Sequence, residues 1–101
     1  MERADMTEED FRALLSAQGY DEVRDVVYEP GADGELHTHE FSAMVLVLEG
    51  QFTLGLENGS ETFGPGQTCE VPAGTVHAER TSELGARVLA GVKHTSTSTT
   101  G

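Results

Sequence analysis

The sequence predicts an all-β domain, a small barrel or sandwich preceded by one short helix. Three observations carry that reading. From Val23 onward the chain is a series of short runs rich in β-formers, punctuated every several residues by Gly, Pro or Asn. Asn58-Gly59, set between two such runs, is the strongest hairpin signal in the chain, and a type I′ turn is expected there. Ahead of the runs, Phe11, Leu14 and Leu15 fall at i, i+3, i+4, the one helical stripe in the sequence.

Taken in order, Thr7 can cap a helix whose first turn, Glu8-Glu9-Asp10, suits the positive end of the helix dipole. Gly19 is its stop, so the helix is expected at about residues 7–18, with its stripe on the sheet. Val23, Val26, Val27 and Tyr28 make the first strand, closed by Glu29-Pro30-Gly31. Next comes a strand carrying His37 and His39, and after it Ala43 to Leu48, which lacks alternation and so is buried on both faces. Glu49-Gly50 breaks that run. Gln51 to Glu57 alternates, with Phe52, Leu54 and Leu56 on one face. Glu61 to Phe63 returns from the hairpin, Gln67 to Val71 follows the Gly64-Pro65-Gly66 turn, and 75–81 and 87–92 are the last two strands. The organisation is therefore a helical segment at 1–19, a β-domain at 20–93, and a low-complexity tail at 94–101 that takes His94 with it.

Composition bounds the function. At 101 residues there is room for one domain with a modest core. Lys plus Arg number 6 against 18 Asp plus Glu, a net charge of -12, which repels phosphate backbones and anionic membranes. The longest apolar run, Ala43 to Leu48, is far too short for a membrane span, and the acidic first ten residues are no signal peptide. Cys69 is the only cysteine, so no intrachain disulfide forms and a cytoplasmic location is expected; a small buried thiol is the expected role. Ser42 and Ser60 lie in no motif that would make them nucleophiles.

His37 and His39, at i, i+2 in a strand, point the same way and can converge on one metal ion. Two Gly-bounded stretches then fall into a recognisable pattern. Gly31, His37, His39 and Gly50 match G-x5-H-x-H-x3,4-E-x6-G, and Gly66, Pro72, Gly74 and His77 match G-x5-P-x-G-x2-H-x3-N, with Thr81 in place of the Asn. Fifteen residues separate the two stretches. In these motifs the chain resembles the cupin superfamily, specifically its small single-domain members, over residues 31–81. The resemblance implies a double-stranded β-helix barrel and a divalent metal ion (Fe, Zn, Mn or Ni) held by His37, His39 and His77.

One departure bears on that site. The family's metal-binding Glu falls at Ala43, or at Met44 with the longer spacing, and neither side chain binds metal. Three explanations stand: a three-histidine site completed by water, a replacement carboxylate, or a weakened or lost site. Glu79 is the best replacement, since at i+2 from His77 it shares that face. Glu40, next to His39, points the other way unless a bulge intervenes. The plain alternative for Glu79 is a surface acid paired with Arg80 or Arg87. If it faces inward, Glu79 is also the natural catalytic base.

Parity adds one expectation. With His37 and His39 inward, Phe41, Ala43, Val45 and Val47 also face in, while Met44, Leu46 and Leu48 form an outward apolar row. That row needs cover from the helix or a second subunit, and a homodimer is expected. The function expected is a metal-binding cupin acting on a small molecule in its barrel, dioxygenase- or isomerase-like. The alternative is a non-catalytic small-ligand-binding or sensor cupin.

Overall fold

The computed structural model describes residues 6–94. Helix α1 (Glu8–Ala17) is followed by β1 (Glu22–Tyr28), β2 (Phe41–Leu56), β3 (Gly59–Phe63), β4 (Thr68–Val71) and β5 (His77–His94). Every strand pairing is antiparallel. Thr7 caps α1 as expected, its hydroxyl accepting from the Asp10 amide at 3.0 Å. At the other end Gly19 adopts φ +84° and the Tyr20 amide reaches back to the Leu15 carbonyl at 2.9 Å, closing the helix.

Two strands are longer than the sequence suggested. The runs 43–48 and 51–57 join into the single 16-residue β2, and the runs 75–81 and 87–92 into the 18-residue β5. Glu49-Gly50 is a bend within β2, with register shifts against β5 on either side of it. Gly50 has φ +79°, and a Cβ there would run into the Gly85 carbonyl, so the two long strands turn their corner backbone against backbone. On one side of the corner the order is β1-β5-β2-β4. On the other side β5 lies between β2, which carries β3 on its far edge, and bridges from Asp33 and His37. The two layers fold face to face: the Tyr28 ring from the first meets the Phe52 ring of the second at 5.5 Å. The result is the all-β barrel with one short helix that the sequence predicts.

Two cores result. Val45, Val47, Phe52, Leu54, Val71 and Val88 fill the space between the layers. Met44, Leu46 and Leu89 on the outer face pack with Phe11 and Leu15 of α1, with Leu14 and Leu48 at the margin. The outward row is thus covered by the helix. Leu15 seats on Gly91, where a Cβ would collide with its methyl groups.

Three local expectations need correction. The His-x-His stretch is not a regular strand: His37 forms only an isolated bridge with His77, and β2 begins at Phe41. The hairpin loop is Glu57 and Asn58, because Leu56 pairs with Gly59. Among the described residues none other than glycine has positive φ, so the loop is not type I′. His94 is not a tail residue; it ends β5, pairs with Phe41 and stands 3.5 Å from Glu22. The remaining tail, 95–101, lies outside the described residues, as do residues 1–5 of the N-terminal segment.

Candidate metal centre

The site is assembled at the second layer's edge. Backbone hydrogen bonds run both ways between His37 and His77, from the His37 amide at 2.8 Å and from the His77 amide at 2.9 Å. The Gly74 amide donates to the His39 carbonyl at 3.0 Å, which ties the other end of the stretch to the loop before β5. His77 and Glu79 lie opposite Leu56 and Leu54 in the β2–β5 register, so they share the inward face of those leucines. The structure brings His37, His39, His77 and Glu79 together, with one candidate ligand atom from each lying within 4.8 Å of the others. The three imidazole centroids are 4.6–4.9 Å apart.

Each ring is held. Nδ1 of His37 donates to the Glu35 carbonyl at 2.7 Å, and Nδ1 of His77 to the Thr75 carbonyl at 2.9 Å. Both therefore use the carbonyl two residues upstream to fix ring and tautomer. His39 instead stacks on Phe41, centroids 4.5 Å apart and planes 7° from parallel. Burial, then the neighbouring His77, lowers the His39 pKa, which keeps that imidazole neutral and able to ligate.

Glu79 does not pair with Arg80 or Arg87. Arg80 lies 3.1 Å from Asp33, and Arg87 meets Asp25 at 2.8 Å and Glu49 at 3.6 Å. Glu79 turns inward instead, Oε2 lying 2.8 Å from His77 Nε2 and Oε1 3.3 Å from His37 Nε2. Glu40 is not among the grouped residues. Ala43, in the expected carboxylate position, pairs with Val92 and Val71 and lines the cavity beside the cluster.

The arrangement carries an unmet demand for positive charge. His77 faces a carbonyl on one nitrogen and a carboxylate on the other, yet a neutral imidazole has a single N–H. His37 is in the same position. Among the described residues, the buried His39 Nδ1 has no hydrogen-bond partner. A divalent cation shared by these groups would meet the demands of His37 and His77, and three imidazoles with one carboxylate form a donor set suited to Fe, Zn, Mn or Ni. The residues present fit the metal.

Beside the cluster, a cavity of about 270 Å³ opens between the layers. Its wall is apolar apart from Arg24, Tyr28, His39 and Glu79. Burial pushes the Tyr28 hydroxyl up to about 12, so it stays a neutral donor. Arg24 is a residue that the sequence reading missed. Its signal is the alternation of Arg24, Val26 and Tyr28, hidden by the adjacent valines at 26 and 27. Cys69 packs against the inner core, and burial drives its thiol up to about 12, as expected for an inert buried cysteine.

Residues 24–94 match the family model described as Cupin domain. No match was found among curated protein sequences. Among solved structures the chain is similar to KdgF from Halomonas sp., at 27% identity and TM-score 0.62 over 69% of this chain and 66% of that one. It is similar to a sugar phosphate isomerase of the cupin superfamily from Silicibacter pomeroyi, at 28% identity and TM-score 0.61, covering 81% of this chain and 57% of that one. It is also similar to a single-substitution variant of the oxalate decarboxylase of Bacillus subtilis, at 27% identity and TM-score 0.61, covering 75% of this chain and 22% of that one. The matched region thus spans from about two thirds down to about a fifth of those proteins.

Proposed function

The chain belongs to the cupin family, and from that membership we propose that it is a metal-dependent cupin acting on a small molecule bound in the 270 Å³ cavity. His37, His39 and His77 would hold the ion, and Glu79 would be the carboxylate ligand in place of the one missing at Ala43. The observation that carries this reading is the cluster itself: three histidines and Glu79 with one candidate ligand atom each within 4.8 Å of the others, and two histidine–carboxylate contacts. When bound, the ion would supply Lewis acidity for an isomerisation or, as iron, dioxygenase-type chemistry. Glu79, on the cavity wall, would also be the proton acceptor for a substrate C–H or O–H. The apolar wall would exclude water from the bound molecule, and Tyr28 would donate a hydrogen bond to it. Some structural relatives bear the names of an isomerase and a decarboxylase, which supports small-molecule chemistry in this barrel.

Metal analysis of untagged protein tests the proposal. Near-stoichiometric metal is expected in the wild type and its loss in His37→Ala and His77→Ala. Absence of metal after reconstitution with Fe, Zn, Mn and Ni in turn would overturn it. Oxygen uptake and product analysis with small diketones, thiols and catechols then separate an oxygenase from a sensor or binding cupin, which would hold ligand without turnover.

We also propose a cytoplasmic homodimer. The single unpaired thiol fits a reducing compartment. With the Met44-Leu46-Leu48 row under α1, support for the dimer comes from Val27 and Leu84, which stand 71% and 70% exposed beside one surface cleft.

A further inference from the structure

The cavity carries two kinds of polar group: His39 and Glu79 bring the cluster to its wall, and Arg24 is the one Lys or Arg among the described residues that line it. Arg24 lies on the inward-facing side of β1 with Val26 and Tyr28, and its guanidinium sits 5.8 Å over the Phe41 ring, whose stacking partner is His39. Only Nε is engaged, by Glu22 at 2.6 Å; among the described residues no hydrogen bond occupies either terminal nitrogen. In a chain with 6 basic residues and a charge of -12, a half-exposed guanidinium on a cavity wall that is apolar apart from Tyr28, His39 and Glu79 invites an anionic ligand.

From this geometry we infer that the cavity binds a short-chain monocarboxylate, its carboxylate on the terminal nitrogens of Arg24 and its other end at the histidine cluster. The assignment rests on the reading of that cluster as the reactive end. Glu22 already shares the guanidinium and Glu79 stands on the cavity wall, so every added negative charge on the ligand is repelled, and a monoanion is repelled less than a phosphate dianion. Size selects a short chain, because 270 Å³ is the space of about nine waters at roughly 30 Å³ each. Val26, Val45, Ala90 and Val92 supply the hydrocarbon contact. Glu22 holds the guanidinium in place and competes with the ligand for it.

The test is an NMR titration of amide shifts at residues lining the cavity, with sodium propionate and with its neutral isostere propionamide. It is run on zinc-loaded and on EDTA-treated protein, with metal content measured on the same samples. Saturable shifts are expected with propionate and none with propionamide. Arg24→Gln weakens propionate at least tenfold, Arg24→Lys recovers part of the loss, and Glu22→Gln tightens binding. Spectra outside the cavity report that the variants fold, and their zinc content is unchanged. Equal propionate midpoints in wild type and Arg24→Gln, equal binding of propionamide, or no saturable shift would overturn the inference. Arg24-dependent binding in a protein that takes up no metal would uphold the anchor and overturn the metal reading alone.

Discussion

Glu79 shows how strand register sets a side chain's direction. In sequence His77 lies two residues before it and Arg80 directly after it, and only the β5 register shows which groups it meets. As the proposed fourth ligand it contributes charge as well as shape. Glu79→Gln keeps the shape and loses the charge, and is expected to weaken zinc affinity by at least the roughly 10–100-fold typical of changes behind a metal's direct ligands. Competition with a chromophoric chelator reads this directly; unchanged affinity would mean that the three histidines suffice. Cys69 gives a prediction of the opposite kind. Its thiol titrates near 12, so at pH 8.5 almost none is thiolate in the folded protein. Iodoacetamide is expected to label it far more slowly in the native protein than in denaturant, and native labelling is expected to accelerate only as pH rises toward that value.

At the scale of elements, α1 presses closest on β5 at Gly91. Leu15 is buried to 1% exposure and its methyl groups occupy the space that a side chain at Gly91 would take. Leu15→Ala is expected to cost about 2–5 kcal/mol by opening a cavity, and Gly91→Ala about 1–3 kcal/mol by overpacking. In the double variant the new methyl partly fills the hole. Urea denaturation of the four proteins is expected to show a combined cost smaller than the sum of the two; strict additivity would show that the contact is not shared. The same packing explains the helix itself. Ten residues are too few to hold a helix alone in water, and Thr7 with the acidic first turn sets only its start. Burial of Phe11 and Leu15 against Met44, Leu46 and Leu89 holds it in place.

For the whole molecule, the cluster joins segments distant in sequence: residues 37–39 ahead of β2, and 77–79 at the start of β5. An ion bound there would link the two and stabilise the native barrel alone. Zinc at about a hundred times its dissociation constant is expected to add about 2.7 kcal/mol, or on the order of 10–20 °C in Tm for a domain of this size. The same zinc is expected to leave His77→Ala unmoved; an equal shift in that variant would assign the effect to the acidic surface. Light scattering checks the assembly, with twice 10.8 kDa expected for the wild type and a monomer for Leu84→Glu. No helix among the described residues is long and apolar enough to cross a membrane.

What the sequence by itself determined is local or periodic: the α1 cap and stripe, the strand faces of Phe52, Leu54 and Leu56, the inward and outward rows of β2, and the spacing of three histidines. These follow from side-chain period and backbone preference within a few residues. Tertiary structure decided the rest. It joined four expected runs into two long strands, because a glycine at a corner reads in sequence as a stop even when a neighbouring backbone carries the ladder past it. It made His37 a bridge rather than part of a strand, moved the hairpin loop by one residue, and kept His94 in β5. It turned Glu79 toward the histidines and Arg24 toward the cavity, since both directions depend on which distant strand lies alongside. A residue's neighbours along the chain constrain its conformation; the groups it meets are fixed only when the layers close.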